Sequence, residues 1–258
     1  MNNHTINAIY KRDLDKVFFS LSIISQDIFF NDGDDYVKKR TVDIIIGTTI
    51  NGTRRYIASI FDDEFQKTSS WYEFLLSLKN RGLEHIFFVS MPYNQTIKKA
   101  FDLAFSNIYF FYSCFDVIKK INHYVNCSYS NNIFRSLSYV FNSESIDEFN
   151  IKKDELFSNY SYTPFIVDIL DNELKYFYDY LNFPTNIRKH IISIHFNEKF
   201  IRFLNSSANS KPFFSSLNEF EELILPRIQI IELKMYCGKE EWNSVISYLY
   251  NDNKDVNN

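Results

Sequence analysis

Positive charge is in short supply in this 258-residue sequence: 28 Lys and Arg stand against 32 Asp and Glu, a formal net charge of −4. A protein that grips DNA phosphates usually presents a basic face, because neutralising phosphates releases counterions. The clusters Lys38-Lys39-Arg40, Arg54-Arg55, Lys119-Lys120 and Arg188-Lys189 are each offset by nearby acids. The charge balance therefore argues against tight DNA binding by this chain alone. Long apolar runs are missing too. No stretch reaches the roughly 18 apolar residues of a membrane-spanning helix, and no basic segment followed by an apolar one opens the chain. No membrane span is expected. Cysteine is limited to Cys114, Cys127 and Cys237, an odd number with no Cys-x-x-Cys pair. That argues against a disulfide framework and suits reduced thiols in the cytoplasm. Glycine and proline, five of each, leave few breaking points.

Aromatic residues are plentiful instead, with 27 Phe and 18 Tyr. Phe, Tyr, Ile, Asn and Lys share AT-rich codons, so this reads as nucleotide bias and says little about function. The length suffices for a full buried core.

The first half alternates strands and helices. Val17–Phe30 and Tyr36–Ile50 read as strands, and Asn51-Gly52 is a strong hairpin signal because both residues tolerate positive φ. Thr53–Phe61 returns as a third strand. In Ser70-Trp-Tyr-Glu73 the spacing fits a capping box, Trp71, Phe74, Leu75 and Leu78 form an apolar stripe, and Gly82 suits a left-handed stop. His85–Ser90 is nearly continuous apolar sequence, as a central strand requires. A helix over about 95–105 and a strand over 108–112 follow. From Cys114 onward the pattern turns helical, with candidates at 115–126, 131–141, 145–158, 164–181, 185–205, 216–236 and 240–250. Pro164, Pro184 and Pro212 fall near boundaries.

Several of these segments resemble Mutator-type transposases of bacterial insertion sequences. Gly47-Thr-Thr-Ile-Asn-Gly-Thr-Arg-Arg55 is similar to that family's glycine, hairpin and basic residues. Trp71, Leu75, Leu78, Arg81, Gly82 and Leu83 match its Trp/Leu helix at the same spacing. Phe183-Pro-Thr-Asn-Ile-Arg188 resembles the segment that closes its helical insertion. The likeness runs from about Ser22 to Leu225.

The resemblance implies an α/β, RNase H-like fold: a mixed sheet of five strands with a helical insertion and a helical C-terminal part. It divides the chain into a sheet region at 17–125, an insertion at 126–184, a returning segment with C-terminal helices at 185–250, and a polar, frayed tail at 251–258. It implies DNA cut-and-join chemistry with two Mg²⁺ or Mn²⁺ ions, about 4 Å apart, held by three carboxylates. The partners implied are the DNA ends of an insertion element, and a homo-oligomer is compatible with it. Only residues 1–16 precede the first strand, which leaves no room there for the family's helical DNA-binding region.

The three acidic positions differ in how well they are kept. Glu198 falls at the third, although helical spacing also places it opposite the stripe Phe196, Phe200, Phe203 and Leu204, facing water. Asp27 takes the first if the following hairpin is about two residues shorter than usual; otherwise Ser25 does. Strand alternation puts both on one sheet face. The second falls on Met91, a soft, neutral thioether that cannot replace a hard oxygen ligand. A Cys-x-x-His element of the family reads here as Cys114-Phe-Asp-Val117, and His190 and His195 have no partner at ligand spacing. Two readings result: a catalytically impaired transposase, or a non-catalytic relic that serves as a DNA- or protein-binding module.

Overall fold

The computed structural model describes residues 10–31, 36–112, 117, 121, 124–125, 127–174, 180–184, 187–188, 202–232 and 239–255. Cys114, His190, His195 and Glu198 lie outside the described residues. The chain divides into two compact units, one of residues 1–110 with 199–258 and one of residues 111–198.

The first unit holds an α/β arrangement around a five-stranded mixed sheet. Strands β1 (Val17–Asn31), β2 (Val37–Thr49), β3 (Arg54–Phe61), β4 (His85–Met91) and β5 (Tyr109–Tyr112) lie in the order β3-β2-β1-β4-β5. β1 pairs with β2, and β2 with β3, in antiparallel fashion, while β4 runs parallel to β1. Ile86, Phe87, Phe88 and Val89 of β4 are all buried, which explains their unbroken apolar sequence. The turn after β2 is a three-residue loop. Gly52 N–H donates to Thr49 O, and Thr49 N–H donates to Thr53 O at 2.8 Å. Of Asn51 and Gly52 it is Gly52 that takes positive φ, +74°, so the turn is a tight bend finished by a left-handed residue.

Helix α1 (Thr68–Asn80) buries Trp71, Leu75 and Leu78, as the stripe requires. Its start differs from the capping-box expectation. The N-cap is Lys67, which makes no side-chain cap, and Ser70 lies one turn inside the helix. The Ser70 and Trp71 N–H groups both donate to Lys67 O, so the helix is already under way at Ser70. Gly82 adopts φ +103° at the expected stop. Helix α2 (Gln95–Ala104) is capped by Asn94, whose side chain accepts from Thr96 and Ile97 N–H.

In the second unit, α3 (Cys127–Phe141), α4 (Ile146–Asn159) and α5 (Pro164–Leu174) are joined by short turns. Phe141, Phe149 and Tyr180 form an aromatic cluster there, with ring centroids 5.9–6.4 Å apart. Returning to the first unit, residues 202–208 are helical, followed by α6 (Leu217–Glu232) and α7 (Lys239–Asp255). α7 extends to Asp255, into the stretch expected to fray. Its polar final residues continue a helix whose earlier turns are held by buried Trp242, Val245 and Leu249. Among the described residues, no helix is long and apolar enough to cross a membrane.

Candidate functional site

The sheet residues singled out in the sequence, Ser25, Asp27 and Met91, are placed by strand register. On β1, Ser25 lies opposite Asp43 of β2 and Asp27 opposite Thr41. Cross-strand partners share a sheet face. The Ser25 hydroxyl donates to Asp43 Oδ1 at 2.6 Å. One pleat further, the Thr41 hydroxyl donates to Asp27 Oδ1 at 2.9 Å, and the Lys39 ammonium lies 3.1 Å from Asp27 Oδ2. The two acids differ sharply in setting. Asp43 is 2% exposed, whereas the Asp27 side chain is 26% exposed and paired with a solvent-facing lysine.

The β1–β4 ladder runs from Val17 and His85 to Ser22 and Ser90. One residue on, Met91 comes level with Ile23. Leu21 pairs with Val89, so parity sets Met91 on the face that also carries Ser25, Asp27 and Asp43. Met91 is fully buried at 0% exposure. Ser25 lies two residues beyond its level, about 7 Å along the strand, and Asp27 four residues beyond, about 13 Å, at roughly 3.3 Å per residue. The sheet thus brings Ser25 near the end of β4 and leaves Asp27 farther out on the β1–β2 hairpin. Among the described residues, no three of His, Cys, Asp and Glu group closely enough to hold a metal ion.

Asp43 is the residue that sequence reasoning passes over. It stands in Val42-Asp-Ile-Ile-Ile46, a run that otherwise reads as plain core strand. The available signal was its sign: a carboxylate inside an apolar run is buried only with a partner. Finding that partner, Ser25, takes the register.

A family model for Mutator-family transposases matches residues 2–216. The chain belongs to the Mutator family of transposases. A search of curated proteins gave no significant match. The shared motif residues now acquire physical roles. Trp71, Leu75 and Leu78 of α1 and Leu83 just beyond its end are core residues. Arg81 Nε donates to Arg12 O at 3.1 Å, and Leu14 N–H donates to Arg81 O at 2.7 Å. The helix end is thereby tied to the chain entering β1. Arg188, 8% exposed, donates to the carbonyls of Ser143 at 2.6 Å, Glu144 at 2.9 Å and Phe183. Its planar fork holds the α3–α4 turn against its own segment, a task a lysine cannot copy. Val117, where the family's His would stand, is buried.

Proposed function

We propose that this chain keeps an RNase H-like transposase frame but does not catalyse DNA cut-and-join, and that it serves as a non-catalytic DNA- or protein-binding module. The observation that carries this reading is the fully buried Met91 at the end of β4, where the family's chemistry needs a carboxylate. A divalent hard cation demands oxygen ligands, and a thioether in a dry core offers none. The neighbouring groups support the same reading. In register, Ser25 is the better counterpart of the first acidic position, and its hydroxyl is committed to Asp43. Asp27 is neutralised by Lys39 and lies too far along β1 to share ions about 4 Å apart with position 91. The residues present therefore do not fit a two-ion centre, and no step of the reaction is routed through one.

The test is a nicking and strand-transfer assay on duplex DNA with Mg²⁺ or Mn²⁺. Cleavage at background level is expected. Metal-dependent cleavage that disappears in Glu198→Gln would overturn the reading.

A further inference from the structure

β3 is an edge strand, and edges with unpaired backbone groups invite another strand. Among the described residues no strand lies on its outer side, yet backbone groups of Tyr56 and Ser59 on that side are met by side chains. Tyr56 N–H donates to Glu232 Oε1 at 2.6 Å, and Arg12 Nη2 donates to Tyr56 O. Arg12 also pairs with Glu232 through Nη2 at 2.7 Å and Nη1 at 3.3 Å. Ser59 N–H donates to the Tyr10 hydroxyl at 3.0 Å, and that hydroxyl donates to Glu221 Oε1. Tyr56 OH donates to the same Glu221 oxygen at 2.5 Å and lies 2.5 Å from Ser59 Oγ. A bulge in the β2–β3 register, where Ile45 pairs with Ala58 and Ile46 with Tyr56, explains the three-residue spacing of the two capped positions. The extra residue, Ile57, shifts the strand's parity, so Tyr56 and Ser59 point the same way.

From this we infer that Tyr10 and Arg12 of the N-terminal segment, with Glu221 and Glu232 of α6, form a cap that holds β3 closed against edge-to-edge pairing with a second copy of this chain. Three backbone groups of one strand are met by side chains from two distant segments, where a sixth strand would otherwise dock. A second copy is the fitting occupant because the strand is charge-complementary to itself. It opens with Arg54-Arg55 and runs out into Asp62-Asp63. Within one copy Arg55 lies 3.5 Å from Asp15 and Asp63 lies 2.6 Å from Arg40, so pairing between copies exchanges these partners for those of the other chain. Antiparallel pairing about a two-fold axis brings the basic start of each copy toward the acidic end of the other.

The experiment compares the full chain with Glu232→Ala, Glu232→Gln, Arg12→Ala and Glu232→Ala/Arg55→Glu. Hydrogen exchange at the Tyr56 amide and sedimentation velocity over a concentration series are measured on each. Glu232→Ala is expected to speed exchange at Tyr56 by about tenfold, the loss of one hydrogen bond to a charged group. It should also raise the mass above that of the wild-type chain in a concentration-dependent way. Glu232→Gln retains an acceptor and should behave like the wild type, and Arg55→Glu should abolish the gained association. If Glu232→Ala fails to fold, Arg12→Ala, which strips Tyr56 O and removes the ion pair to Glu232, takes its place. A folded, uncapped variant with fast Tyr56 exchange and wild-type mass at every concentration would overturn the inference.

Discussion

Met91 carries the functional argument at the scale of single residues. A carboxylate placed there alone enters a dry core with no counter-charge, so Met91→Asp should lower the thermal midpoint, and added Mn²⁺ should not restore it. In Ser25→Asp/Met91→Asp, two carboxylates share one sheet face about 7 Å apart along the strand direction, and Mn²⁺ should raise the midpoint. A Mn²⁺ response in the single variant would contradict this. The buried Glu221 makes a second prediction. Burial, its largest influence, raises its pKa above the ordinary 4.5, against the lowering effect of the Tyr10 and Tyr56 hydrogen bonds. A raised folded value gives stability that is full below the unfolded value and is lost as pH climbs through the folded one. Glu221→Gln does not titrate. The wild type should therefore lose stability relative to this variant as pH rises from about 4.5 upward. A difference in midpoint that stays flat with pH would contradict it. At this scale the sequence was legible where chemistry is local: a methionine cannot hold Mg²⁺ in any fold. Which of Asp27 and Ser25 stands at the family's first acidic position was not legible, because a two-residue change in hairpin length leaves no mark in a single sequence.

Elements were easier to read than their ends. All five strands fall within a residue or so of the expected spans, since alternation and apolar runs report burial directly. The start of α1 was misplaced because Ser70 offers a hydroxyl where the backbone had already entered the helix at Thr68. The β2–β3 hairpin supplies a prediction here. Gly52 sits at φ +74°, and a Cβ on it would lie 3.2 Å from the Trp242 ring. Gly52→Ala should cost about 1–2 kcal/mol for the left-handed backbone, with the indole contact adding to it, as read from urea unfolding. In the second unit the Arg188 fork makes a sharper case. Arg188→Lys keeps the charge but cannot span the carbonyls of Ser143, Glu144 and Phe183. A loss of roughly 2–3 kcal/mol is expected, and a neutral effect would mean the fork is dispensable.

For the whole molecule, the family match over residues 2–216 and the buried core of an α/β sheet describe a chain that folds, while among the described residues no three of His, Cys, Asp and Glu group closely enough to hold a metal ion. The edge cap was beyond sequence reading, because it joins segments far apart in the chain: Tyr56 meets Glu221 and Glu232, and Arg12 meets Glu232. Net charge belongs to this scale as well. With −4 overall, any duplex binding should be weak and should fall steeply between low and physiological salt. Binding that is insensitive to salt would point away from phosphate contacts.

The most direct test of the central claim is a calorimetric titration of the wild-type chain with Mn²⁺, run beside Glu198→Gln. The account predicts no saturable binding and identical traces for the two proteins. Stoichiometric binding of two ions, lost in Glu198→Gln, would contradict it.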